Sequence, residues 1–214
     1  MGRNHSRHVT WALALATCLV AFGGSSAYAW DDHGAQARVH AGGQFFHGDP
    51  ANVLGGASDR VSFGIEAKCN TPGGGCAPNG INPVVVGSFV PVPAGGQAPK
   101  GNFEYFNHFS GLHAHGRITD VAFGTASDAC VALGDPSLAG KPSAIVQGKC
   151  DDGKCTYFQM EVVDGDDTSP NVGDWVCNVN VQGQGKMHTP QTDSEPAQQV
   201  IRGDVEVSTS THHH

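Results

Sequence analysis

The sequence predicts an all-β fold, an antiparallel β-sandwich or barrel-like domain of about eight strands, and three observations carry that reading. Glycine and proline are abundant, 30 and 12 of 214 residues, with no collagen-like period, so turns are many and long helices few. No segment sustains a 3.6-residue apolar period over three helical turns. Strict alternation is frequent instead and gives one apolar face per segment, as in antiparallel strands with one wet side. The length suits one domain with a substantial core.

Residues 1–29 read as a secretory signal peptide. Arg3 and Arg7 form its basic start, residues 11–22 its apolar stretch, and Ala27 and Ala29 its small-x-small cleavage motif. Residues 30–40 are then a short N-terminal segment, 41–208 a single β domain, and 209–214 a tail ending in His212, His213 and His214. No further apolar run is long enough to span a membrane. With 12 Lys+Arg against 20 Asp+Glu, a net charge of −8, the acidic balance argues against nucleic acid, which needs a basic face to neutralise its phosphates. The expected location is secreted, extracellular or periplasmic, and the expected partner an extracellular ligand or surface.

The strands follow in order. Residues 42–46 form the first. Residues 61–68 put Val61, Phe63, Ile65 and Ala67 on one face. A Gly/Pro-rich insertion occupies 69–100, with 84–86 and 89–90 as an extra strand pair. Residues 102–108 and 113–122 make a hairpin, and a second long loop runs over 123–143. Strands resume at 144–148 and 155–163, the latter with Phe158, Met160 and Val162 inward and Tyr157 and Glu161 outward. In 174–182, Trp175, Cys177, Val179 and Val181 share the buried face, and Asn178, Asn180 and Gln182 the wet one. A turn or two of helix is expected around 193–200, and a closing strand at 200–207.

Outside the signal peptide the chain has six cysteines, and an even count in an exported chain implies three disulfides. Cys150 and Cys155 flank a tight Asp-Gly turn, and Cys69 and Cys76 a short flexible loop. Spacing therefore favours 69–76 and 150–155, with Cys130 and Cys177 left to each other. Neither short pair has the C-x2-C spacing of a zinc site.

Several segments in this order resemble the post-COAP (post-choice-of-anchor) domain family of exported bacterial proteins. They are 41–45 (AGGQF), 60–68 (RVSFGIEAK), 101–108 (GNFEYFNH), 111–116 (GLHAHG), Cys155 with the TYF that follows it, the acidic turn 163–167 leading to Gly173 and Asp174, and 203–207 (GDVEV). The resemblance spans about residues 41–208. It implies a small all-β extracellular module without an established catalytic activity. The 69–100 insertion and the Cys130–Cys177 pair depart from the family pattern.

Two constellations could carry chemistry. A four-residue turn at 109–112 would oppose His108 to His113, Phe106 to His115 and Glu104 to Arg117. Glu104, His108, His113 and His115 would then share the outer face, and three imidazoles with a carboxylate suit Zn²⁺ or Cu²⁺. The alternative is a polar face on which the histidines meet water. The acidic turn offers Asp164, Asp166 and Asp167, with Asp174 beyond, as hard oxygen ligands for Ca²⁺; Asp and Gly are also ordinary turn residues. Neither G-x-S-x-G nor H-E-x-x-H occurs, and no catalytic residue is assigned. Two functional expectations follow. One is a module with a binding or structural role at the cell surface or envelope. The other is a metal-binding extracellular protein, extending to a metal-dependent hydrolase if zinc keeps an open position.

Overall fold

The structure, a computed structural model, describes residues 36–48, 59–69, 76–81, 93–166, 172–186 and 189–210. The signal peptide, the 84–86 and 89–90 strand pair, Asp167 and the histidine tail lie outside these residues. Eleven strands join one sheet, every pairing antiparallel. They are β1 (Gln36–Phe46), β2 (Arg60–Cys69), β3 (Cys76–Ala77), β4 (Gly95–Gly96), β5 (Lys100–Asn107), β6 (His113–Thr125), β7 (Pro142–Cys150), β8 (Cys155–Val163), β9 (Trp175–Gln184), β10 (Pro190–Gln199) and β11 (Arg202–Ser210). Along the sheet the order is β10-β9-β8-β7-β6-β5-β2-β1-β11, and the β3–β4 ribbon joins β6 through Cys76 opposite Val121.

The sheet curls into a half-barrel. β11 comes back against β7 and β8, and β1 approaches β10. The concave side holds the main core, where Val39, Phe45, Phe63, Phe103, Phe158 and Met160 are buried. Phe103 and Phe158 stack with ring centroids 3.9 Å apart. β7 passes this stack at Gly148, where a Cβ would lie 2.4 Å from the Phe103 ring, so the sequence has no side chain there.

The described parts of both insertions reach the convex side. The second carries α1 (Asp128–Leu133), begun by Ser127, whose hydroxyl accepts from Cys130 N at 3.1 Å. A 3-10 turn, Pro136–Leu138, follows. Together they bury Ala126, Cys130, Leu138, Val163, Cys177 and Ala197 in a second cluster. The first insertion turns Ala77 and Ile81 over Ala122 and Ile145. Asp120 fixes that turn by accepting from Asn79 N and Nδ2 at 2.8 and 3.0 Å. Disulfides join Cys69 to Cys76, Cys130 to Cys177 and Cys150 to Cys155, with Cα atoms 5.7, 5.5 and 5.5 Å apart. Three disulfides fit an oxidising extracellular or periplasmic compartment. Among the described residues, no helix is long and apolar enough to cross a membrane.

Three expectations are corrected. Residues 193–199 of that expected helix belong to β10: Asp193 and Glu195, two apart, are both buried, as strand geometry allows and helical spacing does not. β9 does not keep one face. Val176, Val179 and Val181 enter the main core, whereas Cys177 and half-buried Trp175 join the cluster under α1. The cause is a bulge: β8 pairs Gln159 with Asn180 but Glu161 with Cys177, and Asn178 takes the extra place at φ 50°. Finally, Glu161 and Asn178 leave the main core as expected yet are 0% and 7% exposed, because α1 roofs the face that alternation alone left to solvent.

Candidate functional site

The hairpin turn begins one residue earlier than expected. Asn107 Oδ1 accepts from Phe109 N and Ser110 N at 2.8 and 3.0 Å, and Gly111, at φ 71°, donates to Asn107 O at 2.8 Å. The turn is therefore 108–111, and β5 and β6 pair Glu104 with His115 and Phe106 with His113. Shifting by one residue on both strands preserves the faces, so Glu104, His113 and His115 do lie together. His113 Nε2 is 3.4 Å from Glu104 Oε1, and the His113 and His115 rings stack at 5.6 Å. His115 leans to Asp152, with Nδ1 3.7 Å from Oδ2. His108 falls in the turn and meets Ser62 Oγ at 3.0 Å, and the Phe106 ring packs edge-on against both His108 and His113.

In the acidic turn the structure brings Asp164, Asp166 and Asp174 together, each with an oxygen within 4.8 Å of the others'. Asp164 and Asp174 are buried and Asp166 is exposed. The two buried carboxylates meet main-chain donors. Asp174 accepts from Gly165 N at 3.1 Å and Val205 N at 2.8 Å, and Asp164 accepts from Val207 N at 3.1 Å. Val205 and Val207 N–H point away from β1, so these two carboxylates seal the outer edge of β11. Burial, reinforced by Asp166 and Asp164, raises the Asp174 carboxyl to about 6, against the pull of its two backbone donors.

Two polar clusters escaped the sequence reading. Under α1, Glu161 accepts from Ser127 N at 2.8 Å, Ser127 Oγ at 2.7 Å and Asn178 Nδ2 at 2.7 Å. The hydroxyl that caps α1 thus also binds Glu161, and burial still holds that carboxyl above its ordinary value. The second cluster lies between β1, β5 and β10. His47 Nδ1 is 2.5 Å from Glu195 Oε1 and 3.3 Å from Asp193 Oδ1. Tyr105 OH and Asn107 Nδ2 both donate to Asp193 Oδ2. Burial, then the neighbouring Asp193, drives the Tyr105 hydroxyl well above its ordinary value. One signal could have revealed it: Asp193 and Glu195 stand two apart, as do Tyr105 and Asn107, the spacing that shares a strand face.

On the convex side, between the first insertion and β5–β7, lies a groove of about 490 Å³ lined by Asn79, Pro99, Lys100, Arg117, Thr119 and Lys149. Compared with protein-family models, curated proteins and solved structures, the chain matches none.

Proposed function

We propose that this chain is an exported bacterial β-module that works by binding an anionic ligand, such as an acidic saccharide, outside the cell or in the envelope. The observation that supports this most is the cationic lining of the convex groove. Lys100, Arg117 and Lys149 are exposed on β5, β6 and β7, with Arg117 directly opposite Lys149. Lys68 on β2 extends the row, opposite Lys100. Like charges set directly across a ladder are unfavourable, and an anionic group between them would relieve that repulsion. The chain carries a net charge of −8, so such a row runs against its average composition. Arg117 reaches Asp151 at 3.2 Å and Lys68 reaches Glu66 at 3.9 Å, exposed pairs of the kind that contribute little and yield readily to a ligand.

The first insertion walls the groove, and the Cys69–Cys76 disulfide and the Asn79–Asp120 pair fix that wall. The resemblance to post-COAP modules and the signal-peptide pattern support the exported setting. Calorimetric titration with a uronic-acid oligosaccharide and a neutral oligosaccharide tests the reading. Binding of the acidic sugar alone, weakening as salt rises and lost in Lys100→Glu/Lys149→Glu, is expected. Equal binding of the neutral sugar, or no loss in that double variant, would overturn it.

A further inference from the structure

Among the described residues, two groups of three or more side chains bring potential metal ligands within 4.8 Å of one another. Asp164, Asp166 and Asp174 are all carboxylates. His47, Asp193 and Glu195 combine an imidazole with two carboxylates and sit within a shell of oriented side chains. We propose that His47, Asp193 and Glu195 bind a divalent transition-metal ion of the Zn²⁺ or Mn²⁺ kind, with a coordination position open toward solvent. This site is separate from the convex groove and does not depend on the reading given for it.

The donor atoms converge. His47 Nδ1 faces Glu195 Oε1 at 2.5 Å and Asp193 Oδ1 at 3.3 Å. An imidazole nitrogen has at most one proton to offer, so one proton is left to serve two carboxylates. A metal ion accepts all three donors at once. With metal–ligand bonds of about 2.0–2.2 Å, tetrahedral ligand atoms stand roughly 3.3–3.5 Å apart. The His47–Asp193 separation already meets that spacing, and the His47–Glu195 separation needs to open by only about 1 Å.

Asp193 is held from behind, and Glu195 by a main-chain donor shared between its two oxygens. The second Asp193 oxygen accepts from Tyr105 OH and from Asn107 Nδ2, leaving Oδ1 aimed at His47. Tyr105, Asn107 and Asp193 are all buried. Glu195 accepts from Gly48 N at 3.1 Å, and Gln198 Nε2 donates to Gly48 O, tying the residue after His47 to the same strand. Outer hydrogen bonds of this kind orient ligands and tune their affinity. A divalent ion would balance the charge of two ionised carboxylates buried beside one imidazole.

Access comes from the His47 side. The imidazole is 33% exposed, against 4% for Asp193 and 2% for Glu195, and its ring stacks on exposed Phe109 with centroids 5.7 Å apart. An ion held here has protein ligands on the inner side and water on the outer. Three protein ligands with one open position is the arrangement in which a metal can take a further ligand.

Calorimetric titration of Zn²⁺ and of Mn²⁺ into the full oxidised chain tests the proposal. His212→Ser, His213→Ser and His214→Ser form the common background, which removes the histidine tail as a competitor. One ion per chain at micromolar affinity is expected. His47→Ala should weaken binding by more than the about 10- to 100-fold typical of an outer partner, and Tyr105→Phe by about 10-fold. His113→Ala and Asp166→Ala should leave it unchanged. His47→Gln, with circular dichroism to confirm folding, repeats the test should the alanine variant unfold. Binding weaker than millimolar for both ions, or an affinity that neither His47 variant alters, would overturn the proposal, as would loss in His113→Ala or Asp166→Ala instead.

Discussion

The two edge strands of the half-barrel each meet a pair of carboxylates, and the pairs are arranged oppositely. At β11 the acids come from the loop between β8 and β9 and accept main-chain N–H groups of the edge strand, Val205 and Val207. At β10 the acids belong to the edge strand itself and face side chains: Tyr105 and Asn107 on β5, and His47 just past β1. Main-chain donors are fixed by the fold, so the first pair is part of the sheet's closure. An imidazole can exchange its proton for a metal, so the second pair can hold a ligand. Residue type alone would have ranked the aspartate-rich turn first; what each oxygen already accepts reverses that order.

The largest effect is expected at Asp174. Asp174→Ala leaves Gly165 N and Val205 N without their acceptor, and two buried donors at about 1–3 kcal/mol each give a loss of about 2–6 kcal/mol in urea unfolding. A loss under about 1 kcal/mol would mean that β11 is sealed by something else. The pH dependence of the same residue comes next. Its folded value, raised to about 6 from 3.8, favours the native state while protonated. That contribution is fully present below the unfolded value and disappears as pH rises through about 6. The shift corresponds to roughly 2–3 kcal/mol, lost between pH 4 and pH 7. Asp174→Asn should flatten this slope, which urea midpoints in chelator-treated buffer at four pH values would reveal.

At β10, Tyr105→Phe removes a donor from buried Asp193 and should cost about 1–3 kcal/mol without metal. The smallest change belongs to exposed Asp166, where alanine should shift thermal stability within about 0.5 kcal/mol. A large effect there would put the acidic turn's weight on its exposed member.

How far the molecule could be read from its sequence depended on how local each signal was. The alternating strands were legible because their period is written in neighbouring residues: Phe63, Ile65, Phe158 and Met160 are buried in the main core as alternation indicates. The short disulfide loops were legible for the same reason. β10 was not, because its buried residues include Asp193, Glu195 and Gln198, which a hydrophobic pattern cannot register, and Pro190 and Pro196 interrupt it. The bulge at Asn178 left no mark in the alternation, which continues past it on paper. Glu161 looked like a solvated residue because its roof, α1, comes from a loop whose destination is not local information. The His47 site was hidden most fully. Its members come from β5, β10 and the end of β1, far apart in the sequence and along the sheet, and only the curl that carries β1 to β10 sets them side by side.

The two carboxylate pairs are expected to differ in kind toward a transition metal. X-ray diffraction at the zinc absorption edge, from crystals grown with Zn²⁺, tests that difference most directly. The expected result is one anomalous peak about 2.0–2.2 Å from His47 Nδ1, Asp193 Oδ1 and Glu195 Oε1, with none between Asp164 and Asp174. A peak at the acidic turn, or none beside His47, would contradict it.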